Sequence, residues 1–139
     1  MSLRRLALFN RTGAALATSY PSQLAAGEEY ASLSAPLSWV FVAAVTLSAG
    51  QSAILKFQGT QDDTDSGTPK WVDLPSTRLD TITSPTQIEH TINASGAVGF
   101  KVETGGFRAL RALGKVGQAA DPADVISITS NVPSAGYGA

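Results

Sequence analysis

Apolar and polar residues alternate with period two along most of this chain, in short runs separated by Gly, Pro, Asn, Asp and Ser, and that pattern predicts strands. In residues 2 to 9, Leu6 and Leu8 fall on one side and Arg5 and Ala7 on the other, which makes a first strand. Asn10 to Ala26 is small, polar and Ala-rich, with Tyr20-Pro21 inside it. It reads as an extended arm with a short helical turn over Ser22 to Ala26. Ser38 to Leu47 carries β-branched and aromatic residues on both faces and is placed at the centre of a sheet. Ala53 to Gln58 sets Leu55 and Phe57 against Lys56 and Gln58, the half-buried antiparallel pattern.

Leu55 to Pro75 is the stretch on which the rest is hung: two apolar-alternating arms around a loop of Asp, Thr, Ser, Gly and Pro read as a long hairpin. Phe57, Trp71, Val72 and Leu74 supply its buried face or the edge of that face. Thr77 to Ile82 is another short strand, closed by Pro85. In Gln87 to Ile92 the residues Ile88, His90 and Ile92 share one register set. Val98 to Val102 and Phe107 to Leu113 read as a hairpin across Thr104-Gly105-Gly106, and Val125 to Ser130 as a last strand. Eight or nine short strands with turn residues between them predict an all-β sandwich or barrel. Residues 1–139 form a single domain in this reading. Its core is about 27–130, preceded by a strand and arm at 1–26 and followed by a flexible tail at 131–139.

Charge changes the picture. Ten Lys and Arg against eleven Asp and Glu leave a net charge of −1, so no global field draws in nucleic acid or an anionic membrane. Charged residues are 15% of the chain, where about 25% is usual, so much of the surface is neutral and open to contact with other chains. Arg4, Arg5 and Arg11 precede any acidic residue, which suggests a basic arm that docks on an acidic neighbour; solvated arginines at a chain end are the competing reading. The apolar run at the start is broken by Asn10-Arg11-Thr12-Gly13, so a signal peptide is not expected. Trp39 to Leu47 is too short to span a bilayer.

Little in the sequence carries chemistry. No Cys is present, which removes disulfides, thiolate metal sites and a Cys nucleophile. Asp62-Asp63-Thr64-Asp65 offers hard oxygen ligands, but read as a calcium loop it has Ser66 where Gly belongs and lacks the closing Glu. A turn rich in Asx side chains is the simpler reading, and no metal or other cofactor is expected. His90 is the single histidine, so a histidine zinc cluster is excluded and any Ser-His-Asp triad would have to use it. Glu28-Glu29, Glu89 and Glu103 mark no facing pair for glycoside hydrolysis, and the phosphate, nucleophile-elbow and HExxH motifs are missing. Arg108 and Arg111, with Lys101 and Lys115, make a basic patch without the interleaved aromatics that base stacking needs. Asn93-Ala94-Ser95 fits a glycosylation sequon by accident. Trp39, Phe41 and Trp71 are core candidates; exposed, one would be an interface anchor or a sugar platform. The chain is not expected to be an enzyme.

One larger pattern stands out. Lys56-Phe57-Gln58-Gly59-Thr60, an Asp-rich loop and Lys70-Trp71-Val72-Asp73-Leu74-Pro75 are followed downstream by Phe107-Arg108-Ala109-Leu110-Arg111 and a closing strand. This order resembles the jelly-roll cement or decoration proteins of tailed-bacteriophage capsids, with tail-associated sandwich modules as relatives. The resemblance covers about residues 53 to 130, and it departs from the pattern in the added Asp65-Ser66-Gly67-Thr68-Pro69 and in the first third of the chain. It implies a jelly-roll-like antiparallel β-sandwich with an extended amino-terminal arm, made in the host cytoplasm and carried on the outer capsid surface. The implied partners are the major capsid protein and a second or third copy of the chain, with no direct contact to nucleic acid or membrane. Arg4, Arg5, Arg11 and Tyr20 of the arm and Tyr137 of the tail are the expected partner contacts. A carbohydrate-binding or tail-adhesin module is the alternative.

Overall fold

Alternation of this kind resolves into two layers when each strand turns its apolar side to a common interior. The computed structural model describes residues 3–32, 38–65, 67–80 and 86–133. Expectations that fall on Ile82, Pro85 and residues 134–139, with Tyr137, lie outside those residues, whereas 131–133, expected to begin a flexible tail, complete the last strand. The strands run, in chain order, β1 Leu3–Thr12, β2 Ala31–Ser32, β3 Ser38–Thr46, β4 Ala53–Thr60, β5 Val72–Leu74 and β6 Ser76–Arg78. They continue with β7 Thr86–Gln87, β8 His90–Ile92, β9 Gly96–Glu103, β10 Ala109–Val116 and β11 Val125–Pro133. A 3-10 turn, Gly13–Ala15, follows β1. Residues 22–26, expected to make a helical turn, are irregular: the Ser22 and Gln23 carbonyls accept from arginine side chains, and only Ala25 O accepts from the backbone, at Glu28 N.

One sheet has the order β1-β11-β3-β9-β6-β7 and the other β2-β10-β4-β5, with β8 also on β4. All these pairings are antiparallel. Setting aside β6 to β8, the remaining strands pair first with last (β1–β11), second with second-last (β2–β10), third with third-last (β3–β9) and fourth with fourth-last (β4–β5). That nested set is one long antiparallel ribbon rolled onto itself, which is the jelly roll. The β6–β8 excursion leaves the roll after Leu74, extends the first sheet beside β9, and returns to the second sheet beside β4.

Two expectations about connections are corrected. Val98 to Leu113 is no hairpin: β9 lies in one sheet and β10 in the other, and Thr104-Gly105-Gly106 carries the chain across the sandwich. Gln87 to Ile92 is no single strand either. The chain changes sheets between β7 and β8, so His90 and Ile92 are buried while Ile88 is 39% exposed. The register argument holds only while a strand stays in one sheet.

The interior is built where inward positions of the two sheets meet. Phe41 of β3, Phe57 of β4 and Phe100 of β9 form a column through both layers, with centroids 5.1 and 5.7 Å apart, tilted as aromatic quadrupoles prefer. Leu6, Leu8, Leu55, Leu110, Ile126 and Ile128 close around it. Leu8 sits at an irregularity in the β1–β11 register between Ala7 and Phe9, which lets Leu8 and Phe9, neighbours in sequence, both be buried. Gly59 is required by close approach: a methyl group there would lie 2.8 Å from the Phe107 ring.

At one end of the roll the loops are tied by a buried carboxylate. Asp124, fully buried, accepts hydrogen bonds from Ser48 N at 2.7 Å, Asp121 N at 2.9 Å and Gln51 Nε2 at 3.0 Å. Gln51 Oε1 in turn accepts from Ser52 N and Gln118 N. Burial alone would raise the Asp124 carboxyl, but these donors outweigh it and hold it down at about 2. Replacing Phe57 by Ala is expected to cost about 3–5 kcal/mol by opening the aromatic column. Asp124→Ala, which strands several buried donors, is expected to cost about 2–4 kcal/mol. Urea titration of each variant measures both, and a loss under 1 kcal/mol in either case would contradict the packing described.

Candidate functional site

The two outer faces of the sandwich differ, and the difference begins with the residues between β1 and β2. Residues 16–30 run over the outside of the β10–β4–β5 sheet as a strap fixed at both ends. At the first end Leu16 is buried and Val116 N donates to Ala17 O at 3.0 Å. At the second, Glu28 accepts two hydrogen bonds from the Arg11 guanidinium and one each from Asn10 N and Ala25 N. Burial pushes the Glu28 carboxyl up, yet Arg11 and the backbone donors hold it below the usual carboxylate range.

Between those anchors Tyr20 is the central contact. Its hydroxyl donates to Glu89 Oε2 at 2.7 Å, and the ammonium groups of Lys56 and Lys115 lie 4.6 and 4.5 Å from its ring centroid. Burial first, then the bond to Glu89, pushes its phenol well above the ordinary value, so Tyr20 stays a neutral donor. Arg111 stacks over Trp71 at 4.4 Å, donates to Gln58 Oε1, and reaches Ser22 O on the strap. Trp71 also meets Tyr30, with centroids 5.0 Å apart. Leu113, on an outward-facing position of β10, is only 5% exposed under this cover.

No segment among the described residues covers the outer face of the other sheet in this way. β3, expected at the centre of a sheet, is central there, but its outward-facing Val40 and Val42 are 50% and 42% exposed. Leu79, 50% exposed, lies across Gly99 on the same face. Three of the five large apolar side chains exposed among the described residues are therefore gathered on one face. Beside them Ala44, Ala97, Ser127 and Thr129 are small and uncharged. β11 pairs with β3 only as far as Thr129↔Val42, and beyond that Ser130 Oγ bonds Val40 O as the strands splay. The splay leaves a shallow trough of about 470 Å³ between Arg5, Trp39, Val40, Val42 and Thr129.

The expected contact residues separate accordingly. Arg5 stands at the wall of the trough, while Arg4 lies on β1. Arg11 and Tyr20 are both engaged within the chain, in the strap anchor and at the strap centre.

The chemical candidates are also placed. His90 Nε2 lies 2.7 Å from Ser76 Oγ, the spacing of a nucleophile and its base. Both residues are buried, at 2% and 1% exposure, where the chain crosses between the sheets, and the ring packs on Phe100 at 4.8 Å. The pair stitches that seam. Asp62 Oδ2 accepts from Lys70 N and Asp63 Oδ1 from Asp65 N, so the Asp-rich loop uses these carboxylates to hold its own turn. Among the described residues no three acidic or histidine side chains converge as metal ligands, and no helix is long and apolar enough to cross a membrane. The strap, the Ser76–His90 stitch and the Asp124 knot have no signature in the sequence. Each joins polar residues far apart in the chain, and only the run of small residues before β2 hinted at a segment without a core of its own.

Comparison with protein families, with curated proteins and with solved structures returns no match to this chain.

Burial, reinforced by the Arg78 charge, lowers His90 below its ordinary 6.5, against weaker upward pulls from hydrogen bonds to the backbone of Ser76 and Gln87. The unfolded chain then binds the proton more readily, so stability is full above 6.5 and is lost as pH falls through 6.5 toward the lower folded value. The buried carboxylates, whose values in the unfolded chain are near 4, contribute only below that window. Urea midpoints measured from pH 7.5 to 5 are expected to fall for the native chain and to fall less for His90→Gln. Equal slopes would remove His90 from the account.

Proposed function

We propose that the protein is a structural component of a virion: a cement or decoration protein that binds the major capsid protein on the outer surface of a tailed-bacteriophage shell. It is made in the host cytoplasm, takes no cofactor and catalyses nothing. The observation that carries this reading is the inequality of the two outer faces. One is roofed by the chain's own strap, while the other presents Val40, Val42 and Leu79 among small neutral residues to whatever adjoins it. A sandwich with an uncovered apolar face has a surface suited to contact with other subunits. Each contact can be modest, because many copies on one shell add their contributions through multivalency. With Arg11 and Tyr20 committed to the strap, Arg4, Arg5 and Tyr137 remain as the contacts to the shell.

A sugar-binding or tail-adhesin role is the second reading, and it rests on Trp39, half-buried at the edge of the trough. Purified shells assembled with and without the protein separate the two. The protein is expected to co-sediment with shells and to raise the temperature at which they release DNA. Failure to co-sediment, together with glycan-array binding lost in Trp39→Ala and Trp71→Ala, would replace the first reading by the second.

A further inference from the structure

The bare face carries a knob and a hollow on opposite sides of one strand. Val42 of β3 pairs with Thr129 of β11 on one flank and with Gly99 of β9 on the other, so all three lie in one row across the sheet. Leu79 projects over Gly99, on the β9 flank. The trough lies on the β11 flank, floored by Val40 and Val42 and walled by Thr129 and Arg5. A two-fold axis running along β3 exchanges the two flanks. It sets the Leu79 of one molecule above the trough of the other and brings each Val42 close to the axis. An isologous contact demands that kind of self-complementarity, in which residue i meets j and j meets i.

We propose that this face joins two copies of the chain, sheet against sheet, with each Leu79 seated in the partner's Val40–Val42–Thr129 trough. The inference rests on the reading above and refines it, assigning the bare face to a second copy and leaving the chain ends and loop tips for the shell. Three features favour a second copy over another occupant. The knob and hollow match in number and row. The formal charges of the face are few: Arg5 at the β1 margin, and Lys101, beside Val40 on β9, which lies 3.9 Å from Glu103 on its own strand, so each face brings its lysine already paired to the contact. Its size is suited to weak self-association: five strands at about 4.8 Å and six or so residues at about 3.3 Å give on the order of 400–500 Å² per copy. The total, roughly 800–1,000 Å², lies at the low end of specific interfaces, so the dimer is concentration-dependent and reinforced where copies are held side by side.

Sedimentation velocity across about 10 µM to 1 mM, the range in which so small an interface would associate, is expected to show the native chain shifting from monomer to dimer. Leu79→Asp and Val42→Asp, both at exposed positions, are expected to remain monomeric throughout with unchanged circular dichroism. Val42→Cys gives the only thiol in the chain, and a short bismaleimide is expected to link it into dimers at concentrations where Thr68→Cys, on the distant Asp-rich loop, is not linked. A native chain that stays monomeric to the highest concentration overturns the inference, as does a dimer that survives both Asp substitutions. Shell co-sedimentation of the native chain, read beside its sedimentation velocity, tells the two ideas apart. Native dimers that bind no shell sink the capsid role and leave the dimer standing, whereas a native monomer that binds shells does the reverse.

Discussion

The pairing of β1 with β11 is the constraint on which everything else depends. It joins residues at opposite ends of the described chain, from Leu3↔Pro133 to Thr12↔Val125, and every other pair of the roll is nested inside it. Nesting sets the sequence separations: long for the outer pairs, short only for β4 with β5. Closing the outer ribbon costs the most chain entropy, so it is favourable only when the inner pairs and the aromatic column already hold the two sheets in place. The side chains at risk if that order fails are the ones that fill the interior, Leu6, Leu8 and Phe9 on β1 against Ile126 and Ile128 on β11.

Polar groups in this protein are spent where geometry alone would leave the backbone loose. A sandwich fixes its strands through the ladder and the core, but not its long connections. Here Asp124 and Gln51 gather the loops at one end, Glu28 and Arg11 pin the strap, and Ser76 with His90 closes the crossing at the edge. No buried side-chain nitrogen or oxygen among the described residues lacks a partner. With so few charges in the chain, committing many of them to internal ties leaves the outer face of the other sheet only a few, Arg5, Lys101 and Glu103, beside Ser127 and Thr129 to keep it solvated.

Much of the strand content was legible because alternation reports which side of a strand is buried. The inward sets Leu6 and Leu8, and Leu55 and Phe57, are buried where the pattern put them, and β3 lies centrally in its sheet. Alternation does not report the partner. The Thr104-Gly105-Gly106 turn has the composition of a hairpin, yet it connects two sheets, because β9 completes its pairing on β3 and β10 on β4. Ile88, His90 and Ile92 share a register in the sequence, but a change of sheet between β7 and β8 separates Ile88 from the other two. The strap was legible as an arm without its own core, of the kind that lies on another surface, but which surface it covers was not. What holds it, Arg11 with Glu28 and Tyr20 with Glu89, are side chains 17 and 69 residues apart, and periodicity is blind to both. The apolar outer positions Val40 and Val42 placed β3 centrally but did not report their surroundings: nothing among the described residues covers them.

The antiparallel edge pair also has a mechanical consequence. Residues 3 and 133 sit side by side, so polypeptide entering at one and leaving at the other does so from the same corner. Tension drawn between them would load the ladder one rung at a time, as a zip is opened, and not all rungs together. The roll is therefore compliant to a pull at that corner and rigid to compression across its two layers, which suits a plate pressed between neighbours better than a link in a tether.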